Sequence, residues 1–251
     1  MIFMWRVIQL SQWPAPMNMA LDEAVCNAIA EGNSNPTIRF YTWNPSAVSI
    51  GYFQELLREV DIDFCAKNGI DIVRRRTGGG AVYHDSKGEI TYSVLAPEDY
   101  FPRGIIDSYK VMCGSIIEGL RGLGIEAEFK PINDIVANGK KISGNAQTRR
   151  NGILQQHGTI LYSLDVDMMF RCLKVSDEKI RDKMISTAKE RVTSIRDIDS
   201  SIDFDRAYLS ILHAFCKDKE FYFGDFSESE LEEAKHLAET KYSSREWNYW
   251  R

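Results

Sequence analysis

Residues 74–85 read Arg-Arg-Arg-Thr-Gly-Gly-Gly-Ala-Val-Tyr-His-Asp, and the organisation of the chain follows from them. Apolar residues alternate before this stretch in Ile70-Asp71-Ile72-Val73 and resume after it in Ile90-Thr91-Tyr92-Ser93-Val94. That pattern predicts strand, glycine turn, strand. Three consecutive glycines remove every Cβ from the turn, so backbone N–H groups can approach a ligand and point at it as an anion-binding nest. Arginines at the edge of such a loop can fork onto phosphate or carboxylate oxygens. On a strand Arg74 and Arg76 share one face and Arg75 takes the other, so at most two of them address one ligand. Standing alone, the loop is a weak signal and reads more simply as a flexible hairpin tip with solvated arginines.

The surrounding composition sets the frame. A chain of 251 residues with 44% hydrophobic and 11% aromatic content has ample material for one large domain. A net charge of −5 argues against general nucleic-acid binding. No apolar run approaches the length of a membrane span, and Met1–Leu10 reads as a first strand rather than a signal peptide. The five cysteines, Cys26, Cys65, Cys113, Cys172 and Cys216, are widely spaced with no CxxC pair. Buried thiols in a reducing cytoplasm fit this better than disulfides or a zinc site.

Working outward, helices and strands mix throughout. Strands are expected at Met4–Leu10, Thr37–Trp43 and Ala47–Phe53. Asn18 is placed to cap a helix with apolar positions Ala20, Leu21, Ala24, Val25, Ala28 and Ile29. A short helix is expected from Asp61 to Asn68, stopped by Gly69, and a longer one from Asp107 to Gly124. Asn138-Gly139 and Asn151-Gly152 each mark a hairpin. Helices are expected over residues 177–189, 203–215 and 227–242, with solvated charged faces.

Candidate chemistry concentrates between Arg39 and Leu161. Lys141, on a strand beside a turn and followed by Ser143-Gly144, could set a point cation against a nucleotide; alone it reads as a surface lysine. His157, on an expected strand, alone reads as a structural histidine. Asn133-Asp134, entering a strand, alone reads as a turn cap.

Together these pieces form a constellation. Arg75-Arg76-Thr77-Gly78-Gly79-Gly80-Ala81-Val82-Tyr83-His84-Asp85, Asn133-Asp134, Gly139-Lys140-Lys141-Ile142-Ser143-Gly144-Asn145-Ala146 and His157-Gly158-Thr159 follow in that order. Phe40–Pro45, Gly51–Gln54, Met17–Ala24 and Tyr242–Asn248 fit the same pattern. The sequence resembles the lipoate-protein ligase family, within a wider lipoate/biotin ligase and octanoyltransferase superfamily, over nearly its whole length.

The resemblance implies an α+β fold, a mixed β-sheet core flanked by helices, with residues 1–251 forming one catalytic domain. It implies an ATP-dependent lipoate-protein ligase: lipoate attacks the α-phosphorus of ATP, and an acceptor lysine then attacks the lipoyl-adenylate. ATP and Mg²⁺ are the implied cofactors. The implied acceptors are lipoyl domains of 2-oxoacid dehydrogenases or the glycine-cleavage carrier protein. Lys141 carries over as the catalytic cation. Trp43, Gly51, Arg75, Gly78, Gly79, His84 and His157 carry over as lipoate or lipoyl-AMP contacts. Gly80, Val82, Tyr83, Asn133, Asp134 and Ala146 carry over to the nucleotide, with Asp134 on the metal side.

Three rivals remain. An octanoyl- or lipoyl-transferase of the superfamily would dispense with ATP and use a cysteine nucleophile. Lys130-Pro131-Ile132-Asn133-Asp134, where cysteine-dependent relatives carry the thiol, has none, whereas Gln147–Thr159 does look similar to those transferases. A biotin ligase would need an arginine-glycine-rich adenylate loop. A non-catalytic lipoate-binding protein would have no need of both Arg75 and Lys141. Single-chain lipoate ligases continue beyond a segment resembling Tyr242–Trp247 into a small accessory domain. The resemblance therefore implies that this domain is absent here and that a separate accessory protein supplies it.

Overall fold

The computed structural model describes residues 4–174, 185–187 and 190–251. The helix expected over residues 177–189 lies mostly outside them. Among the described residues, eight strands form one sheet in the order β11-β1-β2-β6-β10-β9-β8-β7. In chain order these are β1 (Trp5–Trp13), β2 (Thr37–Trp43), β6 (Glu89–Pro97), β7 (Ala127–Lys130), β8 (Asp134–Ala137), β9 (Lys140–Arg150), β10 (Ile153–Leu161) and β11 (Phe221–Phe223). The sheet is mixed: β1 runs parallel to β2 and β11, and the remaining pairs are antiparallel. A second sheet of three short strands has the order β4-β3-β5, with β3 (Ala47–Ile50), β4 (Asp71–Arg74) and β5 (Val82–His84).

This topology corrects the reading of the glycine stretch. The strands flanking it, β4 and β5, do not pair with each other; each pairs with β3 from opposite sides. The alternation at Ile90–Val94 belongs to β6 in the large sheet. The loop is therefore a crossing over β3 rather than a hairpin tip, and it lies where the two sheets meet.

Helices cover the large sheet on both faces. α4 (Ile105–Gly122) and α7 (Phe204–Cys216) pack against each other and the sheet, burying Met112, Cys113, Ile116, Leu120, Ile211 and Phe215 with Ile38, Phe40 and Val94. α1 (Ala15–Ala30) and α8 (Glu228–Leu237) cover the other face. α1 starts earlier than expected, with Pro14 at its N-cap, so Asn18 is not the cap. Asn18 lies inside the helix, where its amide donates to Trp13 O and Thr42 O and its oxygen accepts from Arg39. Asp61 and Asp203 cap α3 (Ile62–Lys67) and α7 through their side chains, and Ser227 closes a capping box with Glu230 at α8. Both Asn-Gly hairpins form, with φ of 52° and 74° at Asn138-Gly139 and 53° and 73° at Asn151-Gly152. Positive φ at both central residues is what a type I′ turn requires. No helix among the described residues is long and apolar enough to cross a membrane.

Candidate active site

The site grows out of the crossing loop. Gly51, just after β3, lies so close to Gly79 that a Cβ on it would stand 1.9 Å from the Gly79 carbonyl oxygen. Gly79 has φ +102°, open to glycine and costly for other residues. Arg75 then braces the loop from beneath. Its Nη2 donates to Gly78 O and Gly80 O, both at 2.8 Å, and its Nη1 to Ser49 O and Ser49 Oγ, both at 3.1 Å. Burial lowers its guanidinium pKa to about 10, which still leaves it charged at neutral pH. Its guanidinium thus ties the loop to β3. Arg74 turns away and donates to the carbonyls of Gly51, Tyr52, Gln54, Trp247 and Asn248, tying the C-terminal segment to the loop. Arg76 approaches Glu23 at 4.0 Å. The three arginines have three separate destinations.

Between the two sheets opens a cavity of about 320 Å³. It brings together Trp43, Arg75, His84 and His157 with the loop residues Gly79, Gly80, Val82 and Tyr83, and with Asn133, Lys141 and Ala146 from the β8–β9 side. Gly51, Gly78 and Asp134 do not line it; they support residues that do. Met19, Tyr41, Leu161, Leu164 and Met169 supply an apolar wall.

Two histidine chains face this cavity. In the first, Ser49 Oγ lies 2.8 Å from His84 Nε2, and His84 Nδ1 lies 2.7 Å from Glu89 Oε1. A carboxylate at Nδ1 fixes the proton there and leaves Nε2 to accept from Ser49. Thr91 Oγ1 donates to the same Glu89 oxygen at 2.8 Å, and Trp43 Nε1 donates to Thr91 at 2.9 Å. The Trp43 ring stacks on His84 at 4.0 Å, holding the imidazole in plane.

In the second chain, His157 Nε2 lies 2.7 Å from Thr77 Oγ1 while Nδ1 is 3.7 Å from Asp22, too far for a hydrogen bond. Burial lowers the His157 pKa, only partly opposed by Asp22, so the ring is neutral near pH 7. Burial alone would raise the Asp22 carboxyl. The Arg39 guanidinium at 2.8 Å, together with His157 and the Ser93 hydroxyl, outweighs that and leaves it lowered. Asp22 is thus committed to Arg39, Ser93 and Gln155 rather than to the histidine.

At the cavity edge Lys141 Nζ sits 2.7 Å from Asp134 Oδ1, both side chains partly exposed. A Cβ on Gly144 would stand 2.9 Å from Lys141 Nζ, so the glycine clears the lysine's path. Asn145 and Asn133 exchange side-chain-to-backbone hydrogen bonds, and Tyr92 Oη donates to Asn145 Oδ1 at 2.7 Å. A Cβ on Gly158 would strike that Asn145 oxygen at 2.1 Å, which accounts for glycine after His157. Among the described residues no three His, Cys, Asp or Glu side chains cluster as a metal site. All five cysteines are free and buried, and none lines the cavity. Burial pushes the Cys26 and Cys113 thiols up to about 12.

Sequence reasoning missed Ser49 as a cavity residue, and Glu89, Thr77 and Asp22 as the residues behind the two cavity histidines. Two of them carry a faint signal. Ser49 is the polar residue within Ala47-Val48-Ser49-Ile50, and Asp22 follows Asn18 by one helical turn on a helix of mainly apolar residues.

Known proteins share this fold. The chain is 33% identical to octanoyltransferase LipM of Brevibacillus brevis, covering 97% of this chain and 98% of that protein. It is 36% identical to octanoyltransferase LipM of Staphylococcus epidermidis, covering 98% of both. Among solved structures it superposes on a bi-partite lipoate protein ligase from Thermoplasma acidophilum with a TM-score of 0.88 and 35% identity, covering 98% of this chain and 96% of that one. It superposes on lipoate-protein ligase A bound with ATP at a TM-score of 0.82 and 32% identity, covering 99% of both. The expected mixed sheet with flanking helices is the fold of these proteins. The expectation of an ATP-dependent lipoate-protein ligase is overturned: curated relatives that match from end to end at 33–36% identity are octanoyltransferases. The lipoyl protein ligase A/B catalytic domain matches residues 14–216, and the chain belongs to that family.

Proposed function

We propose that the chain is an acyltransferase that moves a medium-length acyl group, octanoyl or lipoyl, from a thioester donor onto a lysine of an acceptor protein. The observation that carries this reading is the cavity itself. An apolar wall of Met19, Tyr41, Leu161, Leu164 and Met169 ends against Lys141, the glycine loop and two histidines. An alkyl chain fits the first part. The second part suits a carbonyl that gains negative charge as it is attacked. Lys141 would stabilise that oxyanion once a donor draws it from Asp134. The transferase names of the end-to-end relatives support the same reading. The acceptor is expected to be a small lipoyl-bearing domain, as in protein lipoylation. A separately encoded accessory protein has one support, the likeness to the bi-partite Thermoplasma ligase.

The test is mass spectrometry of an apo lipoyl domain incubated with the protein under two conditions. One supplies octanoyl thioester on a carrier without ATP; the other supplies free octanoate or lipoate with Mg²⁺-ATP. Acylation in the first condition is the expected result. Acylation confined to the second would overturn the proposal.

A further inference from the structure

A transferase that passes an acyl group through itself needs a nucleophile at the acyl carbonyl. The thiol used for this by cysteine-dependent relatives is not in the cavity, because all five cysteines are buried elsewhere. A serine hydroxyl is. Ser49 Oγ is 2.8 Å from His84 Nε2, and His84 Nδ1 is 2.7 Å from Glu89 Oε1, so the hydroxyl, imidazole and carboxylate stand in series. All the members of this series are buried, and both Ser49 and His84 line the cavity. Arg75 Nη1 donates to Ser49 Oγ at 3.1 Å, placing a fixed positive charge where an alkoxide would form. The other histidine chain lacks this completion. Its carboxylate, Asp22, is 3.7 Å from His157 and is held by Arg39.

Resting on the transferase reading, we propose that Ser49 is the nucleophile that carries the acyl group, with His84 as its base and Glu89 as the residue that fixes the His84 tautomer. In the first step the Ser49 Oγ–acyl carbon bond forms and the donor's carbon–sulfur bond breaks. The Ser49 proton passes to His84 Nε2 and from there to the departing thiolate. In the second step the acceptor lysine, attacking as the free amine, forms the nitrogen–carbon bond and the ester's carbon–oxygen bond breaks. His84 takes the amine proton and returns it to Ser49 Oγ. No oxidant or nucleotide enters either step. The network is a catalytic relay in geometry, and a serine ester is a competent acyl donor to an amine.

An octyl fluorophosphonate tests the nucleophile without requiring any acyl donor, because it phosphonylates activated serines. The intact protein is treated with it and the modified peptide mapped by mass spectrometry. Modification at Ser49 is expected, suppressed in His84→Phe and absent in Ser49→Ala. Transfer from octanoyl thioester to the apo lipoyl domain should fall by about a hundredfold or more in Ser49→Ala. Ser49→Cys should trap a hydroxylamine-labile acyl adduct at residue 49, and thermal melts of each variant separate misfolding from lost chemistry. An unmodified Ser49 in the folded native protein, or an acyl adduct on any of the five native cysteines, would overturn the proposal. Modification at Ser49 in a protein that ignores thioesters would retain the nucleophile and discard the thioester-transferase reading alone.

Discussion

The two faces of the large sheet are made by the same strands and are built on opposite principles. Along β2, Ile38 and Phe40 enter the apolar core beneath α4 and α7, while Arg39, Tyr41 and Trp43 face α1 and the cavity. Along β6, Ile90, Tyr92 and Val94 join that core, while Glu89, Thr91 and Ser93 make hydrogen bonds on the other side. Along β10, Leu154 and Ile160 are core, while Gln155, His157 and Thr159 reach Asp22 or the cavity. Side-chain alternation with a period of two produces this division. Both faces are equally buried, so exposure does not separate them. What separates them is proportion: the core face is mainly apolar, with Gln156, Tyr92 and Asn145 bonded together as a polar inset, whereas the other face carries most of the buried polar groups. Buried polar groups are costly unless fully paired. Their concentration on one face marks the face where positioning, rather than area removed from water, is under demand.

The largest expected effect strikes the polar face at its centre. Removing Asp22 leaves Arg39 buried with only the carbonyl oxygens of Asn18 as acceptors. Asp22→Ala should destabilise by about 3–5 kcal/mol, as breaking a buried ion pair on one side does. Phe215→Ala, beneath the other face, should cost about as much through the cavity it leaves. Urea unfolding measures both. The comparison predicts that the Phe215→Ala protein, where still folded, keeps its rate of acyl transfer, whereas Asp22→Ala loses it. Parallel losses of activity in the two variants would erase the distinction between the faces.

A sharper version uses neighbours. Lys141 lines the cavity edge and pairs with Asp134; Lys140 precedes it on the same strand and does not line the cavity. Lys141→Ala should lower acyl transfer by about a hundredfold, the usual consequence of losing a fixed oxyanion stabiliser. Lys140→Ala should change it by no more than about twofold, since its side chain leaves the strand on the other side. Steady-state transfer rates with saturating donor settle the matter, and equal effects would remove Lys141 from the site. Glycine packing offers a companion measurement. Gly51→Ala would drive a methyl group into the Gly79 carbonyl, so the loop must shift and transfer should fall while Lys140→Ala leaves it intact.

How much of this was legible in the sequence depends on the range over which each feature is decided. The Asn-Gly hairpins and the capping residues Asp61, Asp203 and Ser227 are local, and the chain folds there as its residues indicate. The strand Thr37–Trp43 was legible in extent, but its burial on both faces was hidden. The alternating Arg39 suggests a solvent face, and only the partner Asp22, which is 17 residues away, shows that it is interior. The crossing of the glycine loop over β3 is a tertiary choice, and a strand-turn-strand pattern serves a hairpin and a crossing alike. The residues carried over by family resemblance do gather at one cavity, apart from Gly51, Gly78 and Asp134, which stand just behind it. The class of reaction was the hardest to read. A cation such as Lys141 stabilises an attacked carbonyl whether its leaving group is a nucleotide or a thiol, so the motif does not separate ligase from transferase.

The smallest effect expected concerns the pH dependence of stability and isolates one histidine on the polar face. Burial depresses the His157 pKa below its ordinary value of about 6.5, so the folded protein keeps the ring neutral where the unfolded chain would protonate it. The unfolded state then binds more protons below about pH 6.5, and stability rises with pH through that window. The contribution of His157 is therefore complete above about pH 6.5 and is lost as the pH falls towards its folded value. Asp22, whose pKa is also lowered, acts in a separate window: its contribution is present above about pH 4 and declines below it. Between about pH 7 and pH 5 the histidine can be read apart from the carboxylate. The unfolding free energy from urea titrations should fall as the pH drops across that range, by at most about 1.4 kcal/mol per pH unit from this one group, and the midpoints with it. His157→Gln keeps a polar side chain facing Thr77 but cannot take up a proton, so its midpoints should fall less steeply. Identical slopes in the two proteins would show that His157 is solvated and protonates freely, and the cavity wall at that position would then belong to the surface rather than to the buried polar face.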